Sequence, residues 1–138
     1  MLAGSACLSY RTAVTLDPGR SGTCSLVVAD HDTAVALGSG DVDVLATPRL
    51  ISLCEEATMQ AVAGELGEGR TSVGVRVQFD HLAPVRVGTE VKAEATLEKV
   101  EGRRLIFTVT ATDAAGLVGA GRVTRVVVDI ESFLAKAR

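Results

Sequence analysis

Two side chains carry chemistry that is out of keeping with their neighbours, and a third stands where it could assist them. On a helical wheel at ~100° per residue, Glu55 falls between Ile51, Met59 and Val62. A carboxylate on an apolar face costs several kcal/mol to bury unless it is paired or protonated. His81 closes the alternating row Val73, Val75, Val77, Phe79, His81, just before Leu82-Ala83-Pro84. Thr47 precedes Pro48 at a helix start, where its hydroxyl lies beside backbone N–H groups that favour negative charge. Taken singly, each has a plainer reading: a glutamate whose head reaches water at the edge of its face, a core histidine with one satisfied hydrogen bond, a helix cap. Taken together, a desolvated Glu beside a His is a pair suited to nucleophilic or general-base work. The spacing predicts that Glu55 and His81 meet in an apolar pocket near the end of the strand.

The elements that must position them read as follows. Thr47 is a good N-cap and Pro48 suits the first helical position. The helix is expected to run to Glu65 or Leu66 and to end at Gly67-Glu68-Gly69. One face collects Leu50, Leu53, Cys54, Ala57, Ala61 and Gly64, and a second Ile51, Met59, Val62 and Leu66. A helix apolar over most of its circumference is buried on more than one side, which a single helix wrapped by a curved sheet would satisfy. Period-two alternation predicts strands over Thr23–Ala29, Thr71–His81, Glu90–Val100, Arg103–Asp113 and Leu117–Ile130, with turns at Glu101-Gly102 and Ala114-Ala115-Gly116. The last four read as an antiparallel meander after the helix, and the class is α+β. Residues 1–22, with a turn at Asp17-Pro18-Gly19, read as a lead-in to a single domain over 23–138. Asp30 to Asp43 is acidic and holds Gly38-Ser39-Gly40, the pattern of a mobile surface connector or a lid. Phe133 to Arg138 reads as a frayed end.

Composition excludes several functions. The 138 residues suffice for one domain with a core of its own. Aromatic residues make up only 3%, so the core is built from Val, Ala, Leu and Ile. Net charge is −3, and neither a basic excess nor stacking aromatics point to nucleic acid. No apolar run approaches the ~18 residues of a membrane span, and Met1 to Ser9 lacks the pattern of a secretory signal. Cys7, Cys24 and Cys54 are odd in number and widely spaced, so neither a zinc site nor a disulfide framework is indicated, and a reducing, cytoplasmic setting is expected.

A helix, then a strand ending in His-x-x-Pro, then three long antiparallel strands is the order of a hotdog fold. Within it the chain resembles the fluoroacetyl-CoA thioesterase family of acyl-CoA thioesterases. The resemblance rests on Ala46-Thr47, Glu55, Gly74 and His81 in Val-Gly-Val-Arg-Val-Gln-Phe-Asp-His, and Val100-Glu-Gly-Arg-Arg-Leu105. Gly119-x-Gly121, Arg125 and Glu131-Ser-Phe133 complete it, and it covers about Thr23 to the C-terminus. It implies a catalytic set of Thr47, Glu55 and His81 that hydrolyses an acyl-CoA with a short or small acyl group to carboxylate and free CoA. Glu55 would attack the carbonyl or activate water, His81 would polarise or shuttle a proton, and Thr47 would donate a hydrogen bond. Gly74 would allow close substrate approach, and Arg125 would make an interface or phosphate contact. The resemblance implies no cofactor beyond the CoA of the substrate, no metal, and a homodimer or higher oligomer. The family's namesake has a longer, Phe-bearing lid, whereas residues 32–45 here hold no aromatic, so fluoroacetyl selectivity is not implied. Arg86, Lys92, Lys99, Arg103 and Arg104 would suit a rim for CoA phosphates or a solvated strand face. The alternative function is a non-catalytic hotdog module that binds acyl thioesters or apolar ligands.

Overall fold

A computed structural model describes residues 16–138; most of the lead-in, and Cys7 with it, lies outside them. The strands are β1 (Ser21–Val27), β2 (Arg70–His81), β3 (Glu90–Glu101), β4 (Arg104–Asp113) and β5 (Gly116–Asp129). They form one antiparallel sheet in the order β1-β3-β4-β5-β2. The helices are α1 (Ala34–Leu37), α2 (Thr47–Ala61) and α3 (Ile130–Ala135), with a 3-10 turn at Asp30–Asp32 before α1. The architecture is that of a hotdog: one long helix, α2, laid into a curled sheet. Among the described residues no helix is long and apolar enough to cross a membrane.

The core lies between α2 and the concave side of the sheet. Alternation in β3 and β4 sends Val91, Ala93, Ala95 and Leu97, then Leu105, Phe107, Val109 and Ala111, into it, all at most 1% exposed. From α2 come Leu50, Leu53, Cys54, Ala57 and Ala61, which is the first apolar face read from the sequence. Small side chains bring helix and sheet close together. A Cβ at Gly22 would stand 2.5 Å from the Ala57 carbonyl oxygen and closer still to the Ala61 nitrogen, so β1 lies backbone-on against the helix.

Four expectations need correction. First, β2 does not sit beside β3. The chain crosses over after the Pro84 break, β3 pairs with β1, and β2 pairs with β5 at the far edge. Second, α2 ends at Ala61 instead of Glu65 or Leu66, because Gly64 takes the left-handed backbone (φ 77°) and turns the chain before the later glycines can. Third, the second apolar face is only partly covered: Val62 is buried, but Met59 is 47% exposed. Fourth, the end of the chain is a short helix, α3, capped where the Asp129 side chain accepts from the Ser132 N–H.

The acidic segment is also better anchored than a mobile connector. Asp32 is 2% exposed. Its carboxylate accepts from the Ala29 N–H at 2.8 Å and from Arg49 Nε at 3.1 Å, and its carbonyl accepts from the Ala46 N–H. Bridges Thr33↔Leu45 and Val44↔Arg86 close the base of the loop. Asp32 thus fastens the loop to the first turn of α2, where Thr47 sits. Burial alone would push the Asp32 carboxyl up, but the Ala29 N–H and the Arg49 guanidinium outweigh it and hold the group below its ordinary value. A carboxyl lowered on folding contributes stability above its unfolded value of ~3.9 and loses it as pH falls through the folded value. Asp32→Asn is therefore expected to cost about 2 kcal/mol in denaturant unfolding at pH 7. The gap from wild type should narrow as pH drops below about 4; a gap unchanged down to about pH 2 would show that the charge of Asp32 contributes nothing.

Candidate active site

The position of every candidate on β2 depends on one irregularity. Register along β2 and β5 runs Ser72↔Val127, Gly74↔Arg125, Arg76↔Thr124, Val77↔Val123, Phe79↔Gly121 and His81↔Gly119, with a bulge at Val75. Directly opposed residues share a face of the sheet, and on β5 the inward set is Val123, Arg125 and Val127, all at most 5% exposed. Inward on β2 are therefore Ser72 and Gly74 before the bulge and Val77, Phe79 and His81 after it. Strict alternation puts Gly74 opposite His81; the extra residue turns both to the helix. Val75 is left outside at 51% exposed.

At one end of α2, Thr47 Oγ1 and His81 Nδ1 lie 2.8 Å apart. The helix begins one residue earlier than the sequence suggests: Ala46 is the N-cap, without a side-chain cap bond, and Pro48 follows Thr47 inside the first turn. The Thr47 hydroxyl is thereby released from capping and serves the imidazole. The other ring nitrogen, Nε2, is buried and has no hydrogen-bond partner among the described residues. If Nδ1 accepts from Thr47, Nε2 carries a proton to donate; if Nδ1 donates, Nε2 is a free base. Either way a buried polar atom here calls for a partner that the described residues do not supply. Beside the pair lies a cavity of about 320 Å³, whose walls include Ala34, Gly40, Val42, Val44 and Pro84.

Further along the helix sits Glu55, with a side chain 36% exposed. Its partner is Arg125, whose Nη1 lies 3.5 Å from Glu55 Oε2. The Arg125 guanidinium is nearly enclosed, and Ser72 satisfies it twice: Nε donates to Ser72 Oγ and Nη2 to the Ser72 carbonyl, both at 2.8 Å. Burial pulls the guanidinium below its ordinary value while Glu55 pushes back, and arginine's starting value is so high that it stays charged at neutral pH. Gly74 makes room for the pair: a Cβ there would stand 2.6 Å from Glu55 Oε2 and 3.6 Å from Arg125 Nη1.

The expected meeting of Glu55 with His81 is not what the hydrogen bonds and ion pairs show: His81 is held by Thr47 and Glu55 by Arg125. Thr47 and Glu55 are eight positions apart on α2, about 12 Å along the axis, so the two pairs stand apart along the helix, and the cavity beside Thr47 and His81 does not count Glu55 among its lining. Nor is Glu55 a desolvated carboxylate; an interior cation balances it. Arg125, expected at an interface or a phosphate, is an interior residue of the site. Sequence reasoning missed Ser72, because a serine inside a strand carries no signal until the bulge turns it inward. None of Arg86, Lys92, Lys99, Arg103 and Arg104 lines the cavity beside Thr47 and His81. Cys54 is no rival nucleophile, since burial, with the Glu55 charge adding to it, pushes its thiol up to about 12. Among the described residues no group of three or more His, Cys, Asp or Glu is placed to hold a metal ion.

Comparison with known proteins meets this geometry. The family model described as fluoroacetyl-CoA-specific thioesterase matches residues 28–131, from the end of β1 into α3. The chain belongs to that family. A fluoroacetyl-CoA thioesterase from Streptantibioticus cattleyicolor is 38% identical over 96 residues, which is 70% of this chain and 69% of that one. A solved fluoroacetyl-CoA thioesterase superposes with a TM-score of 0.83 at 33% identity, covering 88% of this chain and 94% of that one. A variant solved with acetyl-CoA gives the same TM-score, 0.83, at 32% identity over 88% of this chain and 96% of that one. A thioesterase superfamily member from Thermus thermophilus follows at 28% identity, with a TM-score of 0.80 over 86% of this chain and 88% of that one. Thr47, Glu55, Gly74, His81 and Arg125 all lie within the stretch that matches the family.

The seat at Gly74 can be tested directly. Alanine fits an extended strand, so Gly74→Ala should fold, with a melting midpoint within about 5 °C of wild type. Its Cβ should displace the Glu55 carboxylate from Arg125. A crystal structure of Gly74→Ala with the 3.5 Å ion pair intact would show that the seat tolerates a side chain.

Proposed function

We propose that this protein hydrolyses a short or small acyl-CoA to a carboxylate and free CoA, with Thr47, Glu55 and His81 as the catalytic set. The observation that carries the reading is the imidazole of His81, fixed by Thr47 at 2.8 Å with its far nitrogen unpartnered. About two turns further along α2 stands a carboxylate that Arg125 keeps company. A thioester is a carbonyl with a good leaving group, and its hydrolysis needs a nucleophile, stabilisation of the developing oxyanion and a proton for the departing thiolate. Glu55 supplies the carboxylate: either it draws a proton from the attacking water, or it attacks the carbonyl itself, expelling the thiolate and leaving a mixed anhydride that water then cleaves to free Glu55 and the acid. With Nδ1 accepting from Thr47, His81 Nε2–H donates its proton to the departing sulfur of CoA, and the proton released by the attacking water restores the ring. Thr47 holds the ring in one orientation through Nδ1, as second partners of catalytic imidazoles do. Water is the only other reactant, and CoA enters as part of the substrate.

The cavity of about 320 Å³ beside Thr47 and His81, with Leu45 and Leu82 as well as alanine, glycine and valine in its lining, offers an apolar seat for an acyl group. The short-acyl reading draws on membership of a family whose solved relatives include one with acetyl-CoA. Thiol release from a panel of acyl-CoAs, followed with a thiol-reactive dye, tests the reading. Glu55→Gln and His81→Ala should each lose about 100-fold or more in kcat, and Thr47→Ala about tenfold, as for general acid–base groups and their orienters. If wild type binds CoA esters but turns over none of the panel, the chain is a binding module.

The unit that acts is a homodimer in this reading. β2 is an edge strand, and beside its open side stand Val75, 51% exposed, and Met59, 47% exposed. An open edge with apolar neighbours invites a second copy. Sedimentation at micromolar concentration should give at least twice the chain mass; a monomer would exclude the pairing.

A further inference from the structure

Ser72 lies on β2 before the bulge, 5% exposed, and takes two of the five N–H groups of Arg125. Two bonds from one residue, to Nε and to Nη2, fix the plane of the guanidinium as well as its position. The third contact of the group is Nη1 to Glu55 Oε2, at 3.5 Å. That separation is long for a hydrogen bond and easily lost if the guanidinium turns. Arg125 faces Gly74 directly across the strands, so no side chain opposite holds it. It must lean to the diagonal neighbour, and that neighbour is Ser72.

We infer that Ser72 is a positioning residue of the reaction, acting through Arg125 to fix the carboxylate of Glu55. The inference rests on the thioester-hydrolase reading above. Its logic is geometric. A guanidinium held only by Glu55 would swing with a side chain that is one-third exposed, whereas one clamped to β2 gives that side chain a fixed counter-charge. Misplacement of a reacting group by about 1 Å costs on the order of 100-fold in rate, so the clamp shows itself in turnover more than in substrate binding. A serine that merely satisfied a buried cation would show itself in stability alone.

The test uses the full chain and the acyl-CoA that wild type hydrolyses best. Ser72→Ala should lower kcat about tenfold, the scale of one hydrogen bond to a charged group, with KM changed by less than about twofold. Ser72→Thr keeps the hydroxyl and should restore most of the rate. A groove of about 390 Å³ beside Ser72, between Met59, Leu66 and Arg70, gives the extra methyl room. In an Arg125→Met background, Ser72→Ala should add no further loss, because the group through which it acts is gone. Thermal melts show which variants are folded; if Ser72→Ala is not, the near-isosteric Ser72→Cys carries the same expectations. An unchanged kcat, a loss confined to KM, or losses that multiply in the double variant would each overturn the role of Ser72. An inactive wild type would instead sink the hydrolase reading.

Discussion

A guanidinium kept out of water is the most demanding group in this fold, and much of the site follows from meeting its demands. β5 alternates so that Arg125 points inward between Val123 and Val127, both fully buried. An unpaired charge in such a place would cost several kcal/mol, a large share of a domain's whole stability. Three acceptor atoms prevent that: the hydroxyl and carbonyl oxygens of Ser72, and Oε2 of Glu55. The first two belong to the scaffold. The third belongs to a residue that still reaches solvent, and there chemistry becomes available. Glu55 has the buried cation on one side, and on the other its side chain still reaches water.

The bulge at Val75 makes this arrangement compatible with the other half of the site. Without it, Ser72 and Gly74 could face α2 only if His81 faced away. With it, one edge strand offers a clamp and a seat at its start and an imidazole at its end. The helix answers in kind, with Glu55 above Gly74 and Thr47 beside His81. The ion pair of Asp32 with Arg49 then holds the start of the helix, and through it Thr47, against the preceding loop. Two fixed pairs, Thr47 with His81 and Glu55 with Arg125, thus stand on one frame of α2, β2 and β5.

How much of this the sequence discloses depends on the range of the interaction concerned. The strands, the helix and its inward face are written in local periodicity, and β3 and β4 fold as their alternation says. The bulge is invisible for the same reason: Val73-Gly-Val-Arg-Val77 keeps its apolar–polar rhythm straight through it, and only pairing with β5 decides which residue is extra. Placing β2 beside β5 instead of β3 is likewise a choice between distant partners. Glu55 and His81 could be singled out because each sits at an odd place in a local pattern, and Thr47 because it stands before Pro48 at the helix start. Ser72 and Asp32 could not, since a serine in a strand and an aspartate in an acidic loop are ordinary until the fold buries them. Arg125 was visible as a residue but not as Glu55's partner, because nothing local shows that β5 runs inward there.

The scarcity of aromatic residues gains a physical sense from the same geometry. Ala57 and Ala61 on the helix meet the bare backbone of Gly22, and Ala93 and Ala95 continue the seam on β3. Bulkier side chains along that seam would lift α2 away from the sheet. Glu55 reaches its seat only because the helix lies low enough for its carboxylate to enter the space that Gly74 leaves. Phe79, one of the few large rings, is accommodated by the same device: a Cβ at Gly119 would stand 2.5 Å from the ring. A small-residue core is therefore more than a bias toward strands. It sets the height of the helix over the sheet, and that height decides whether the carboxylate meets the guanidinium at all.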